Sequence, residues 1–182
     1  LELLLSYESQ WLRLGLEEVF GEILSLPAVQ GRSKAAQMPE EHRWRAALKA
    51  FTVDRILSDP TIASELARPL IPLAEQKELA VQLKEHTLLK FLCVVFVVDK
   101  CRQLSLIKCP TLFLRDAPYK ASRDLLMTFN REFLRGQGDI IRHLAMLQYS
   151  VSFQQSYIDE HSYRVENIKT DLRDGVKLAR LV

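Results

Sequence analysis

Leu88-Leu89-Lys90-Phe91-Leu92-Cys93-Val94-Val95-Phe96-Val97-Val98 is the most apolar stretch of the chain, and its reading decides the fold class. It carries one charge and is far shorter than the ~20 residues that a membrane-spanning helix needs. Val94, Val95, Val97 and Val98 suit a strand as well as a helix, but no second strand-like run is present to pair with them. The stretch lies within Glu75–Leu106, which is amphipathic at its start. The reading is therefore one long central helix, buried on most sides through its apolar part.

Further helices are expected on either side. From Tyr7 to Leu26, the residues Trp11, Leu12, Leu14, Leu16, Val19, Phe20, Ile23 and Leu24 recur at near-helical spacing, with Pro27 as the stop. Val29–Pro39 is polar and small and reads as a loop. Helix resumes near Glu40 with Trp44, Ala47, Leu48, Phe51, Ile56 and Leu57 as its apolar stripe. Ser58-Asp59-Pro60 closes it and opens a short helix from Thr61, which Pro69 and Pro72 prevent from running on. Beyond the central helix, Pro110–Pro118 is a loop and Ser122–Leu134 a helix stopped by Gly136-Gln137-Gly138. Asp139 caps a short helix through Ile140, Ile141, Leu144 and Leu147. Ser150–Ser156 is a polar-aromatic connector, and a last helical stretch begins near Asp159. No repeat, heptad array or low-complexity segment is visible, so the expectation is a compact all-α bundle.

The chain has 182 residues, ample for a core, with 48% hydrophobic and 26% charged residues, a globular rather than disordered composition. Its 25 Lys+Arg against 23 Asp+Glu give a formal net charge of +2, so no global field draws in nucleic acid or an anionic membrane, and neither is an expected partner. Leu1 begins without a basic n-region or cleavage site, so the start does not read as a signal peptide, and the chain reads as a fragment of something longer. Cys93, Cys101 and Cys109 are odd in number and lack a C-x-x-C. Buried, reduced thiols are the simpler reading for the first two, and a surface thiol for the third.

Chemistry finds little support. His42, His86, His143 and His161 are scattered without a zinc-binding spacing. Gly136-x-Gly138 lacks the third glycine and the preceding strand of a dinucleotide site, and reads as helix punctuation. There is no Gly-x-Ser-x-Gly elbow, and Glu17-Glu18 and Glu40-Glu41 lie on expected solvent faces. No catalytic residue, metal ligand or cofactor is expected.

One constellation is more specific. Asp171-Leu172-x-Asp174-Gly175-Val176-x-Leu178-x-x-Leu181 combines a turn, a cap and the start of an amphipathic helix. Asp174 is placed to cap, Gly175 permits close backbone approach, and Val176, Leu178 and Leu181 supply apolar contacts. The run resembles the signature of calponin-homology domains, and Leu88–Leu104 resembles the first helix of such a domain. The long helical insertion between them, with Trp11-Leu12-Arg13-Leu14-Gly15-Leu16-Glu17 and Phe20-Gly21-Glu22-Ile23 upstream, resembles the abnormal spindle (microcephaly-associated) family along nearly the whole chain.

The resemblance implies an amino-terminal helical extension over 1–74. An incomplete calponin-homology-like domain follows over 75–182, with a helical insertion at about 110–158 and truncation at the C-terminus. It implies a non-catalytic cytoskeletal binding module of a spindle-pole protein, contacting microtubules, actin filaments or both. The alternative is a scaffold at the spindle pole or centrosome that binds other spindle-pole proteins and no filament. Calmodulin binding would belong to parts of a longer protein absent from this chain. The implied location is the cytoplasm, cytoskeleton, spindle pole and centrosome, with the interphase nucleus as a further one. Lys169, Arg173, Lys177 and Arg180 are the candidate filament-binding residues. Arg173 and Lys177 at i, i+4, and Lys177 and Arg180 at i, i+3, would share one helical face, although helix-borne charges are often merely solvated.

Overall fold

The structure is a computed structural model and describes residues 1–26, 38–135, 138–161, 163, 165–171, 173 and 175–179. A 3-10 turn at Leu4–Ser6 leads into α1 (Ser9–Phe20), then α2 (Glu40–Thr52), which passes into a π-helical turn at Val53–Leu57. α3 (Pro60–Leu66), α4 (Leu73–Gln103), α5 (Ser122–Phe133) and α6 (Ile140–Met146) follow. A 3-10 turn at Tyr157–Glu160 and two four-residue helices, α7 (Ile168–Asp171) and α8 (Val176–Ala179), complete the order. The fold is all-α. The two β-bridges among the described residues, Tyr7 to Phe113 and Ala121 to Gln154, are isolated.

α4 is the axis. Its 31 residues span roughly 46 Å at 1.5 Å per residue. Val94, Val95 and Val98 are completely buried and no residue from Lys90 to Val98 is exposed, so the apolar stretch is covered on most sides, with Leu89, 59% exposed, at its start. α1 lies across it. Gly15 makes this approach possible, because a Cβ built there would fall 2.8 Å from Val98 Cγ2 and 3.2 Å from Val94 Cγ1. α1 ends earlier than the apolar spacing suggests. Gly21 adopts φ 66 and its N–H closes on Glu17 O, so the helix stops there and not at Pro27, leaving Ile23 88% exposed. The Glu17 carboxylate then accepts from Leu24 N–H at 2.8 Å and ties down the exit. Of the expected loop over Val29–Pro39, all but Met38 and Pro39 lies outside the described residues.

α2 packs beside α1 through Ser9–Glu41, an edge-on Phe20–Phe51 pair at 5.4 Å, and Arg13 over the Trp44 ring at 4.3 Å. The π-helical turn leaves carbonyls displaced from the regular ladder, and α4 supplies their partners. Thr87 Oγ1 donates to Ile56 O at 3.0 Å, and His86 Nε2 lies 2.8 Å from Arg55 O. Asp59 then caps α3, accepting from Thr61 and Ile62 N–H at 2.8 and 3.1 Å with Pro60 at N1.

The remaining elements are laced on by side chains reaching peptide groups far away in sequence. Asp99 is completely buried, and its carboxylate accepts from Ser152 and Phe153 N–H at 3.2 and 3.1 Å. Gln155, also buried, accepts from Leu112 and Phe113 N–H at 3.0 and 2.9 Å and donates to Phe113 O at 3.1 Å. The amino-terminal segment joins the same lattice. Glu8 N–H donates to Leu112 O, Leu114 N–H to Ser6 O, and Trp11 Nε1 to Thr111 O, while Tyr7 stacks on Phe113 at 4.6 Å. One hydrophobic cluster consequently runs from Leu3 to Leu144.

Other expectations change in detail. α5 ends at Phe133, and Arg135 takes the left-handed conformation at φ 54 ahead of the glycines. Gly136 and Gln137 lie outside the described residues, and Gly138 has φ 72. Asp139 caps α6 as expected, accepting from Ile141 and Arg142 N–H. The helix expected from Asp159 is a single 3-10 turn, because Ser156 and Asp159 form a capping box around it and His161 leaves in an extended conformation. Cys93 and Cys101 are half-buried rather than buried, as is Cys109, and all three are free thiols.

Candidate functional site

The candidate filament-contact residues fall in the carboxy-terminal segment, which leaves the core through the Tyr157–Glu160 turn. Glu160 fixes that departure. Its carboxylate meets Lys120 Nζ at 2.5 Å and Gln155 Nε2 at 3.0 Å, and the Lys120 hydrogen bond is the main reason its pKa lies below the usual carboxylate value. Beyond it, the Asn167 side chain accepts from Lys169 N–H at 3.0 Å and starts α7, and Arg173 N–H closes the following turn on Thr170 O at 3.3 Å. α8 then opens with Ala179 N–H on Gly175 O at 2.9 Å.

This geometry divides the predicted residues. Lys169 is exposed on α7, Arg173 is exposed in the turn, and Lys177 is half-buried on α8. Arg173 and Lys177 therefore do not share a helical face, since Gly175 at φ 71 separates the turn from the helix. Arg180 lies outside the described residues, as do Leu172, Asp174 and Leu181 of the signature run. Asp171 and Leu178 are described by their place in α7 and α8 alone. Gly175 takes a left-handed backbone at φ 71, and among the described residues nothing lies within 4 Å of a Cβ built there. Val176 is 52% exposed.

A second surface feature was not read from the sequence. At the α3–α4 turn Leu70 is 99% exposed, and Leu73 and Val81, eight residues apart on one side of α4, are 66% and 55% exposed. Arg68 bridges Glu65 and Glu75 and holds the two helices together there. Single exposed leucines are ordinary, but a run of them at one end of a hairpin is a contact candidate.

Titratable groups elsewhere serve structure. Burial pushes the Tyr7 and Tyr149 phenols far above the usual tyrosine range. Burial, reinforced by Glu18, likewise raises the Cys101 thiol, which disfavours the reactive thiolate. His86 Nδ1 stands 3.5 Å from Asp59, but among the described residues no group of three or more His, Cys, Asp or Glu is placed to hold a metal ion. No described helix is long and apolar enough to cross a membrane.

Comparison with known proteins adds what geometry cannot. Abnormal spindle-like microcephaly-associated protein homologs from the dog and the mouse are each 38% identical over 180 residues, covering 98% of this chain. That from Saimiri boliviensis boliviensis is 38% identical over 178 residues, covering 97%. Over nearly its whole length, the chain is a homologue of the abnormal spindle-like microcephaly-associated proteins. It spans 5% of the length of these relatives. The abnormal spindle homology takes in the core and the carboxy-terminal segment alike, so it covers both surfaces described above. No protein-family profile matches the chain, and no solved structure matches it.

Proposed function

We infer that the chain is a non-catalytic cytoskeletal binding module from the amino-terminal region of a mitotic spindle-pole organising protein, contacting microtubules, actin filaments or both. The observation that carries this reading is the homology to abnormal spindle-like proteins along 97–98% of the chain. In this reading 75–182 is an incomplete calponin-homology-like domain with its insertion at about 110–158, and 1–74 is the extension that buttresses it. The buttressing is supported by the shared core and by the amino-terminal hydrogen bonds to Leu112, Leu114 and Thr111. Lys169, Arg173 and Lys177 face the acidic filament, with Arg180 continuing the series. Their support is the exposure of the first two and their position past the Glu160 anchor, outside the packed core. Because α7 and α8 are separate, the contact is a string of basic points along a segment and not one helical face.

The test is co-sedimentation of the chain with actin filaments and with microtubules at two salt concentrations, beside a Lys169→Glu, Arg173→Glu, Lys177→Glu triple variant. Binding should fall with salt, because exposed charges are screened beyond a Debye length of about 8 Å at physiological ionic strength. The triple variant should lose at least about tenfold in affinity by charge reversal. Equal pelleting of the variant excludes this segment, and no pelleting at low salt excludes filament binding. The exposed Leu70, Leu73 and Val81 favour a second reading, a scaffold that holds another spindle-pole protein through an apolar contact insensitive to salt.

A further inference from the structure

α4 ends in a Schellman motif. Ser105 N–H donates to Arg102 O at 3.0 Å and Leu106 N–H to Cys101 O at 2.9 Å, with Ser105 at φ 59 in the left-handed position that glycine usually fills. Holding a serine there costs about 1 kcal/mol or more of backbone strain. Left-handed backbone also occurs at Leu70, Arg135 and Gln148, so strain by itself marks nothing. The setting of the hydroxyl does. Ser105 is exposed, its hydroxyl makes no hydrogen bond among the described residues, and Leu104 and Leu106 on either side are 68% and 71% exposed.

Charge around this turn has one sign. Residues 100–115 carry Lys100, Arg102, Lys108 and Arg115 and no Asp or Glu, in a chain whose charges otherwise nearly balance. Asp99 just before them is buried and committed to Ser152 and Phe153 N–H, and Glu18 acts on Cys101. Arg102 precedes the hydroxyl by three residues and is loosely held, with Nη1 3.4 Å from Ile107 O, the guanidinium 5.8 Å over Phe153, and Nε buried without a partner. Turning it outward gives up one long hydrogen bond and returns an orphaned N–H to water. Lys108 is exposed and forms no ion pair among the described residues. The same Arg-x-x-Ser spacing occurs at Arg55–Ser58, and there the fold withholds it. Ser58 is half-buried, Ile56 is buried, and Arg55 pairs with Glu22 and lies over Phe20 and Phe51.

We propose that Ser105 is a phosphorylation site for a serine/threonine kinase that reads a basic residue three positions before the acceptor. An acidic subsite of the kinase takes Arg102 and an apolar one takes Leu106. In the transfer, the Ser105 oxygen bonds to the γ-phosphorus of a nucleoside triphosphate, the hydroxyl proton passes to the kinase's catalytic carboxylate, and nucleoside diphosphate leaves. Only the last turn of α4 has to open, and helix ends open at small cost. The product phosphate stands at the C-terminal end of α4, where the helix dipole opposes it, and Lys100, Arg102 and Lys108 supply the countercharge. The site lies apart from the carboxy-terminal basic segment, so it stands or falls independently of filament binding.

The test is incubation of the folded chain with magnesium ATP and the catalytic subunit of cyclic-AMP-dependent protein kinase, a basic-directed enzyme, followed by intact-mass and fragment mass spectrometry. The chain should take up phosphate with Ser105 as the main modified residue. Ser105→Ala should abolish that uptake and Ser58→Ala leave it unchanged. Arg102→Gln, with its circular dichroism matched to the parent chain, should slow it by about tenfold, the order of one hydrogen bond to a charged group. No uptake by the folded chain, phosphate placed mainly on another residue, or uptake that survives in Ser105→Ala would overturn the site. Phosphorylation of a free peptide covering 100–110 beside a refractory folded chain would overturn it too, since the fold would then withhold Ser105 as it withholds Ser58. An unchanged rate in Arg102→Gln would overturn the role of Arg102.

Discussion

At the scale of single residues, Asp59 is the cap of α3. Its carboxylate accepts the Thr61 and Ile62 N–H groups at the start of α3, with His86 Nδ1 3.5 Å away. The Ile62 hydrogen bond is the largest cause of a pKa held below the ordinary 3.8, ahead of the opposing desolvation. Because the folded pKa is depressed, this stabilisation is present above the ordinary carboxylate range and is lost as pH falls through the folded value. Asp59→Ala should cost about 1 kcal/mol at neutral pH, the usual value of a helix cap, and Asp59→Asn much less. Urea unfolding at pH 7 and near pH 3 checks both points. The Ala deficit should shrink at the acid end, and a deficit independent of pH would show that the carboxylate charge does not matter. The cap itself was legible, since Ser58-Asp59-Pro60 is turn chemistry on its face. Asp99 and Gln155 were not legible, because the peptide groups they satisfy lie 42 to 54 residues away and no local pattern announces them.

Among the elements, the crossing of α1 over α4 is the tightest contact that the sequence concealed. Helical periodicity located both helices, but it treats Gly15 as one more position on a face, and only the approach of Val94 and Val98 shows why that position is bare. Two effects compete in Gly15→Ala. Replacing glycine inside a helix gains about 1 kcal/mol of propensity. Against this, the new methyl lands 2.8 Å from Val98 Cγ2, on a valine completely buried and β-branched, which has little freedom to turn aside. Overpacking of that kind costs about 1–3 kcal/mol, so the net change should be a loss of about 1 kcal/mol, read as a lower urea midpoint. Gly15→Ser should be no better. A stabilised Gly15→Ala variant would mean that α1 shifts freely along α4. Spacing alone would put Arg173 and Lys177 on one helical face, and the left-handed Gly175 lies between them, so they belong to different local structures.

For the molecule as a whole, the question is whether 1–74 is an appendage or part of the folding unit. The proposed division draws a boundary at 74/75, whereas the hydrophobic cluster runs from Leu3, Leu4, Tyr7, Leu12 and Leu16 through Val94, Val95 and Val98 to Leu112, Phe113 and Leu144. A boundary of cooperative folding should fall where few contacts cross, and this one is crossed by α1 on α4 and by the Ser6–Leu114, Glu8–Leu112 and Trp11–Thr111 hydrogen bonds. The chain should therefore unfold in one transition. The composition provides a clean probe: both tryptophans, Trp11 and Trp44, lie in 1–74, while the longest helix lies wholly beyond residue 72. Tryptophan fluorescence thus follows the first segment, and far-UV circular dichroism is weighted toward the second. The two urea curves should superimpose, as all-or-none unfolding requires, and 75–182 expressed alone should lack a cooperative transition because the faces that α1 covers on α4 would be bare. Fluorescence that changes at clearly lower urea than circular dichroism would make 1–74 a separable extension, and a cooperatively folded 75–182 would make the second segment a domain in its own right.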